Sequence, residues 1–401
     1  MMALEGLRII DMTIWQHGPV STAMLADMGA EVIKVEERTS GDPGRYLSTW
    51  TFQGSKPGNQ LNYYFENNNR NKQSLAIDLK TLEGKEIMGR LIEKSDAFVS
   101  NFRESSLIRL GMDYETVHQI NPKLVYSAGY GFGAKGPDAS RPSADLAAQA
   151  RGGIMSQIQS RPPMQIWGGM ADQTGAFMLC LGTTMGLLTR ERTGIGQKVE
   201  ESLLGTQLAL GSLMAQGTLF TGNIPGEYKR RALSPFWNVY RTKDQKWLCL
   251  SVLEMDRDWH AICESLDLIW LENDPRFKSG LDRAHTYGDD LINILEETFA
   301  KKTREEWANI LNATDIIWAP VQNYEEALAD EQALANNYVV EIDHPNAGKV
   351  KMLGLPLKFS ETPGRIRSTA PELGQHTEAV MTEVLGYSWD EVIAFKDKKI
   401  I

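Results

Sequence analysis

One carboxylate in the sequence stands where it could act as a nucleophile. Asp172 lies in the run Trp167–Gly175, WGGMADQTG, at the entry to a long stretch of small and apolar residues that predicts a buried helix. An aspartate ahead of an apolar helix commonly caps the free N–H groups of its first turn. A carboxylate is also ionised at neutral pH, with an ordinary pKa of about 3.9, so it can attack an electrophile without a general base. The two roles are compatible, because the positive end of the helix dipole would stabilise charge on a reacting carbonyl.

Three other side chains of reactive type have structural explanations. His17 lies in the first loop, where it either lines a pocket or caps a turn. Asp145 is interpreted as a cap of the helix that follows Pro142. Cys180 falls inside the apolar helix and is interpreted as an inert core thiol.

Several basic residues follow predicted strands or lie in or near predicted helices. Singly, each is a solvated surface charge, but together they could hold an anionic ligand despite the acidic total of the chain. They are Arg38, Lys72, Lys80, Arg103 and Arg109.

Three common kinds of site are disfavoured by the motifs. Glu36 ends a predicted strand where a ribose-binding acid would stand, but the loop 12–19 has one glycine where a dinucleotide fingerprint needs three. No GxxxxGK[ST] motif occurs, which excludes a P-loop. The six histidines and three cysteines show no zinc-binding spacing, so no metal site is expected.

The elements that must position these residues alternate between strands and helices. Short apolar runs predict strands over 7–10, 31–36, 74–79, 96–100 and 124–128. Helical patterns lie between or after them, over 19–28, 81–93, 106–110, 173–189 and 201–217, and the last two are apolar nearly all round, which predicts burial. This alternation predicts an α/β fold with a parallel sheet.

The composition and pattern of the sequence change near Pro225. Six of the ten tryptophans lie between Trp237 and Trp318, among mixed strands and charged helices. Strand-like pieces over 339–342 and 348–352 and a last helix over 372–385 could return to the first domain. We therefore expect a large domain in 1–224, a small domain in 225–330 and a C-terminal return in 331–401.

Composition bounds the class of protein and its compartment. The 401 residues carry 42 Lys and Arg against 52 Asp and Glu, and the net charge of −10 argues against a general nucleic-acid binder or an anionic-membrane binder. Three widely spaced cysteines fit a reducing compartment. The first residues have no basic segment followed by an apolar run, so no signal peptide is expected and the predicted location is the cytoplasm.

Ordered motifs across the chain resemble the class III CoA-transferases, the family of formyl-CoA transferase and carnitine CoA-transferase. The similarity is dense from about residue 4 to 200 and looser towards the C-terminus. The motifs are Leu4–Asp11, Gly18-Pro19, Met28–Glu36, Ser40–Asp42, Asn71–Ser74, Asp78–Lys80, Asn101–Arg103, Leu110-Gly111, Asn121-Pro122, Gly136-Pro137, Asp172–Gly175 and Gly194–Val199.

The resemblance implies a site and a fold. Asp172 would be the nucleophile, forming an acyl-aspartyl anhydride and then an aspartyl-CoA thioester, with Gln16 near the reacting carbonyl and Asp145 as a second carboxylate. No tightly bound cofactor is implied, because the CoA thioester is itself a substrate beside a carboxylic acid acceptor. The fold would be a large Rossmann-like α/β domain with a smaller α+β domain, in an interlocked homodimer. The residues implied at the CoA site are Arg38, Ile77, Lys80, Asn101, Phe102, Arg103 and Arg109.

Two departures and two alternatives qualify this assignment. The related α-methylacyl-CoA racemases pair an aspartate with an upstream histidine, but Ala144 occupies that position, which disfavours an acyl-CoA racemase or isomerase. No glycine lies between Gly226 and Gly280, so the mobile glycine-rich loop of formyl-CoA transferase is missing and oxalate/formate specificity is not expected. A non-enzymatic acyl-CoA binding protein is the other alternative. Trp15 and Trp167 would suit a bulky or aromatic acceptor acid. The resemblance to the family implies succinyl-CoA as a donor.

Overall fold

In the computed structural model, which describes residues 1–49, 61–157, 162–223 and 230–401, the chain forms two compact units. The first unit comprises residues 1–223 together with 337–401, and the second comprises 224–336. The predicted boundary at 224/225 lies outside the described residues. The chain returns to the first unit at Asn337, whereas the sequence pattern predicts that return at residue 331.

The first unit is built on a six-stranded sheet in which every neighbouring pair of strands is parallel. The strand order 3-2-1-4-5-6 is that of a Rossmann-like doubly wound sheet, which confirms the predicted fold class. The order reverses between the first and fourth strands, where ligands of such folds bind at the carboxyl ends. The strands are β1 Arg8–Met12, β2 Glu31–Glu37, β3 Lys72–Ile77, β4 Ala97–Ser100, β5 Val125–Tyr130 and β6 Lys198–Ser202.

Helices cover both faces of this sheet. Those described between residues 17 and 221 are α1 His17–Asp27, α2 Tyr63–Asn69, α3 Leu82–Glu93, α4 Glu104–Leu110, α5 Tyr114–Ile120, α6 Asp145–Arg151, α7 Met170–Thr193, α8 Leu203–Leu210 and α9 Ser212–Thr221. Short 3₁₀ turns lie at Pro43–Thr49 and Ile154–Gln157.

Successive residues of a strand serve two different cores, because their side chains point to opposite faces of the sheet. Ile9 packs with Leu25, Leu179 and Leu187 under α1 and α7. Ile10 packs in a larger cluster on the other face, which includes Ile87 of α3. The uninterrupted apolar strands of the sequence follow from burial on both faces.

A buried ionic network lies below the carboxyl ends of β1 and β2. Lys72 Nζ lies 2.7 Å from Asp11 Oδ2, and Lys34 Nζ lies 2.9 Å from Asp42 Oδ2; all four side chains are fully buried. Burial lowers the pKa of Lys72 to about 8, with Lys34 adding to the shift and Asp11 opposing it. Lys34 also donates to the carbonyl of Thr13, so the network holds the loop that follows β1.

Two expectations about helices are wrong. The predicted helix over 201–217 is strand β6 followed by α8 and α9, which meet at Gly211. Its apolar residues, like those of α7, are not all buried: Leu213 is 84% exposed and Leu181 53% exposed. Apolar composition on every face predicted burial, but within one chain only one face of α7 has a sheet to pack against.

The second unit is a small α+β assembly. Its described strands are antiparallel in the order β7-β8-β9, and the indole of Trp307 is fully buried in its core. Its main elements are β7 Trp237–Arg241, β8 Trp247–Ser251, α10 Trp259–Ser265, α11 Gly288–Phe299, α12 Arg304–Leu311, β9 Trp318–Val321, α13 Tyr324–Ala329 and α14 Glu331–Ala335. Short 3₁₀ or π turns lie at Arg230–Ala232, Ile269–Asn273, Pro275–Phe277 and Asp282–Thr286.

The C-terminal segment adds a hairpin and two helices to the first unit. The last helix begins at Trp389, and the predicted helix over 372–385 is shorter than expected, beginning at Thr377. No helix in the described part of the chain is long and apolar enough to cross a membrane. The elements are β10 Val339–His344, β11 Gly348–Leu353, α15 Thr377–Ala379, a π turn at Val380–Val384 and α16 Trp389–Asp397.

Candidate active site

Asp172 is the third residue of α7, and it is not the cap of that helix. The cap position is Gly169, whose φ of 74° is left-handed. The helix N-terminus is instead satisfied by Asp145, whose Oδ1 accepts from the N–H groups of Ala171 at 2.7 Å and Asp172 at 3.2 Å. Among the described residues, the Asp172 carboxylate has no hydrogen-bond partner of its own. It is therefore available to an incoming group.

The same geometry corrects the interpretation of Asp145. This residue begins α6, but the cap position of α6 is Ala144, and no side chain of the described residues caps that helix. Gln149, one turn further along, donates to Asp145 Oδ2 at 2.7 Å and so orients the carboxylate towards α7. Asp145 thus lies beside Asp172 but serves a different helix from the one expected.

Gln16 approaches the start of α7 from the loop after β1. Its Nε2 donates to the carbonyl of Gly168 at 3.2 Å, and a Cβ atom at Gly169 would collide with its amide. The preceding Trp15 has a left-handed φ of 66°, which is uncommon outside glycine, and its N–H is held by Asp42. The buried ionic network therefore holds the loop from which Gln16 reaches the start of α7.

The surroundings of Asp172 resist its ionisation. Burial raises the pKa of its carboxyl to about 6, the negative charges of Asp145 and Glu201 add to the shift, and the positive charge of His17 opposes it. Tyr64 of α2 also faces this negative charge, and burial together with Asp172 raises the pKa of its phenol. At neutral pH the carboxylate is ionised but poorly solvated, which favours attack on a carbonyl.

His17 and Glu201 are functional candidates whose pairing the sequence did not reveal. Their Nε2 and Oε2 atoms lie 2.7 Å apart, and the side chains are 5% and 8% exposed. Burial disfavours the charged imidazole, but the adjoining Glu201 carboxylate and the charge of Asp172 raise the pKa of His17 overall. The sequence pattern predicts a helix at Glu201; its place at the carboxyl end of a strand, two residues before an apolar helix, is the signal that could have found it.

A cavity of about 470 Å³ opens at the switch point of the sheet. Four of the residues implied by the family resemblance line it: Ile77, Lys80, Phe102 and Arg109. The lining also includes the apolar Val35, Leu79 and Leu110, the basic Lys85, and the acidic Glu36, Glu37, Asp42 and Asp78.

The other implied CoA-site residues do not line this cavity. Asn101 ties down the loop after β1, accepting from the Ile14 N–H and donating to the Ile14 carbonyl. Arg103 is exposed at the start of α4, and Arg38 is half-buried after β2. Lys72, one of the five basic residues predicted as possible anion ligands, is fully buried against Asp11. Sequence position alone could not separate these cases, because it does not show which way a side chain faces.

The surroundings of Glu36 and Cys180 explain these two side chains without a role in the site. Glu36, the acid at the end of the second strand, pairs with Arg45 at 2.7 Å and accepts from the Ser74 hydroxyl. Burial raises the pKa of the Cys180 thiol to about 12, so it stays protonated. Among the described residues, no group of three or more His, Cys, Asp or Glu could hold a metal ion.

Known proteins are similar to this chain in both sequence and fold. The (R)-2-hydroxy-4-methylpentanoate CoA-transferase of Clostridioides difficile is 30% identical over 407 aligned residues, covering 100% of each chain. The cinnamoyl-CoA:phenyllactate CoA-transferase of Clostridium sporogenes is 29% identical, covering 99% of this chain and 97% of that one. The crystal structure of a CAIB/BAIF family protein from Brucella suis superposes with a TM-score of 0.82 at 27% identity, covering 96% and 99% of the two chains.

The match to a family extends over nearly the whole first unit and all of the second. Residues 4–377 match CoA-transferase family III, a range that includes the cavity, Gln16 and Asp172. The chain belongs to CoA-transferase family III.

Proposed function

We propose that this family III CoA-transferase moves CoA from an acyl-CoA thioester to a carboxylic acid through covalent intermediates on Asp172. The observation that carries the proposal is the state of this carboxylate, which is half-buried, has no hydrogen-bond partner among the described residues and stands in the first turn of α7. A poorly solvated carboxylate without donors is a stronger nucleophile than a fully solvated one.

The exchange balances without an added energy source. An Asp172 oxygen attacks the thioester carbonyl, the C–S bond breaks, and the CoA thiolate leaves with the electron pair, giving a mixed anhydride. The thiolate then attacks the Asp172 carbonyl, releasing the donor carboxylate and forming an aspartyl-CoA thioester. The acceptor carboxylate repeats both steps in reverse order, ending as the new acyl-CoA and free Asp172. One thioester replaces another, so ATP is not required.

Neighbouring groups support the charge changes in these steps. The amide of Gln16 can donate to the oxygen of the reacting carbonyl, as an oxyanion-hole donor does. The N-terminus of α7 presents its positive dipole end to the same position. Burial of the site limits hydrolysis of the anhydride. The test is direct capture of an acyl or CoA adduct on Asp172 by mass spectrometry.

CoA is proposed to enter as a substrate rather than as a tightly bound cofactor, with its nucleotide in the cavity at the sheet switch point. The apolar lining residues suit an adenine ring, and Lys80, Lys85 and Arg109 suit phosphate groups. We retain Arg38, Asn101 and Arg103 as proposed neighbours of the bound nucleotide, with Asn101 acting through the loop it fastens.

Substitution of the basic lining residues tests this placement. Arg109→Ala and Lys80→Ala should each raise the KM for an acyl-CoA donor about tenfold, as expected when an ionic contact to phosphate is lost, with kcat changed little. Arg192→Ala, an exposed arginine at the end of α7, is the control and should leave KM unchanged. An unchanged KM in both cavity variants would place the nucleotide elsewhere.

The acceptor is proposed to be a carboxylic acid with an apolar side chain. Trp15 is 45% exposed and Trp167 69% exposed, and they flank Gln16 and the entry to α7. The relatives from the two Clostridia are named for 2-hydroxy-4-methylpentanoate and phenyllactate, which both carry such side chains. Racemisation is not favoured, because Ala144 stands at the position of the racemase histidine and Nε2 of the buried His17 is taken up by Glu201. Solvent-deuterium exchange at the α-carbon without CoA transfer would instead favour the racemase.

We propose that two copies form an interlocked homodimer, and that the enzyme works in the cytoplasm. The support for a dimer is the apolar outer face of α7 to α9, which includes Phe177, Leu181, Leu213 and Phe220, all at least half exposed in the single chain. For the compartment, the support is the three free cysteines.

The dimer is tested in solution. The wild-type chain should sediment as a dimer, and the double substitution Leu181→Asp with Phe220→Asp should yield monomer, because burying two new charges without partners is costly. A wild-type protein that sediments as a monomer at micromolar concentration would contradict the proposal.

A further inference from the structure

The pair formed by His17 and Glu201 is closely packed against neighbouring elements of the fold. In the register of β5 and β6, Gly129 pairs directly with Glu201. A methyl group at Gly129 would lie 2.5 Å from His17 Cε1, so only glycine leaves room for the imidazole beside the carboxylate. On the other side, a methyl group at Gly175 would lie 3.1 Å from His17 Nε2. Two glycines and a carboxylate thus fix the ring in one place.

This ring lies against the helix face that carries the nucleophile. Gly175 follows Asp172 by three residues in α7, and residues at this spacing share one face of a helix. The charges of His17 and Asp172 act on one another. The steps proposed for the transfer reaction use neither His17 nor Glu201.

The charges around Asp172 explain why such a pair is needed. Asp145 of α6 and Glu201 of β6 are both negative, and burial also disfavours a charged carboxylate. Tyr64 of α2 is neutral. Of the described side chains that act on Asp172, His17 of α1 is the one that favours its ionised form. Without it, the nucleophile would face two carboxylates in a poorly solvated site.

We propose that His17 is a positioning residue, kept as an imidazolium by Glu201, whose positive charge holds Asp172 in the ionised form that attacks the thioester. The inference rests on the proposed role of Asp172 and extends it. Glu201 acts indirectly. Its own negative charge disfavours the ionised form of Asp172, but it keeps His17 charged in a site where burial would otherwise neutralise the imidazole.

The pH profile of the His17→Gln variant tests this charge effect. In the wild type, kcat/KM should fall on the acid side with an apparent pKa of about 6, the value for Asp172. Loss of an opposite charge at short range should raise the apparent pKa of this acid limb by about one unit. On the acid side the variant is then about tenfold slower than the wild type at equal pH, and the two converge at high pH. A purely structural role would lower kcat/KM equally at every pH and leave the limb in place, which would overturn the proposal.

A matched histidine provides the control. His344 is also buried against a glutamate, with its Nε2 3.3 Å from Glu66 Oε1, and it lies in the same unit of the fold but outside the site. His344→Gln removes an equivalent pair, so its acid limb should coincide with that of the wild type. A limb shifted equally in both variants would show that the effect is not specific to His17.

A second measurement does not depend on activity. In protein labelled at histidine Cε1, the His17 resonance, identified by its absence in His17→Gln, should report imidazolium at pH 7. In Glu201→Gln it should titrate at lower pH, because burial is then unopposed by the carboxylate. A neutral His17 at pH 7 in the wild type would refute the inference. A wild type that forms no adduct on Asp172 would instead refute the proposed function itself.

Discussion

Replacement of Asp172 by asparagine should abolish CoA transfer while leaving acyl-CoA binding intact. The side chain keeps its shape, but an amide nitrogen and oxygen cannot form the anhydride, and no other carboxylate stands in the first turn of α7. Loss of a covalent nucleophile typically costs catalytic factors of about 10⁴ or more in kcat. The cavity that we propose for the nucleotide is lined by other residues, so the Kd for CoA should change less than about threefold.

Mass spectrometry gives the same prediction a chemical readout. Wild-type enzyme mixed with several acyl-CoA donors and quenched in acid should carry an acyl or CoA group on the peptide that contains Asp172, and hydroxylamine should convert it to a hydroxamate. The Asp172→Asn variant should give neither product. Asp289→Asn, an exposed aspartate of the second unit, serves as the control and should behave as wild type. Transfer that persists in Asp172→Asn at about a tenth of the wild-type rate would mean that another group is the nucleophile.

The substitution Lys72→Met should cause a large loss of stability in the first unit. It removes the ammonium that lies 2.7 Å from Asp11 and leaves that carboxylate fully buried. Breaking one partner of a buried ion pair costs about 3–5 kcal/mol in the free energy of unfolding. Because the same network holds the loop that carries Trp15 and Gln16, transfer activity should fall as well.

Two comparisons isolate the buried charge as the cause. Lys349→Met removes an exposed partner of Glu341 in the same unit and should shift the urea midpoint much less. The double variant Asp11→Asn with Lys72→Met should recover part of the lost stability, because no unpaired charge remains at this position. A single variant as stable as the wild type, or a double variant less stable than the single, would contradict this account.

Much of the first unit could be predicted from local pattern. Ile9 and Ile10, or Val32 and Ile33, form strands whichever core they later join, because runs of β-branched residues bounded by turns favour extended chain. Thr81 accepts from the Gly84 N–H at the start of α3, a capping arrangement that depends only on neighbouring residues. The alternation of these elements was enough for the parallel α/β fold. The nucleophile candidate also came from the sequence, because a carboxylate at the entry to an apolar helix is a local feature.

Only the tertiary structure decided which side chains meet. Asp145 was expected to cap its own helix, yet it caps α7, and this exchange is visible only when two helix ends come together. The same holds for the outer face of α7, whose exposure depends on what the rest of the chain covers. The basic residues also have different surroundings that the sequence does not show. Lys80 and Arg109 line the cavity, whereas Lys72 is paired with Asp11.

The pairing of His17 with Glu201 is the clearest example of a contact that only the tertiary structure decides. The sequence alone determined most of the strands, loops and helices of the first unit, because those depend on contacts within a few residues. It could not determine that a glycine on β5 leaves space for an imidazole beside a carboxylate on β6. That contact arises from the order of strands in the sheet, and the carboxylate of Glu201 then raises the pKa of the buried imidazole.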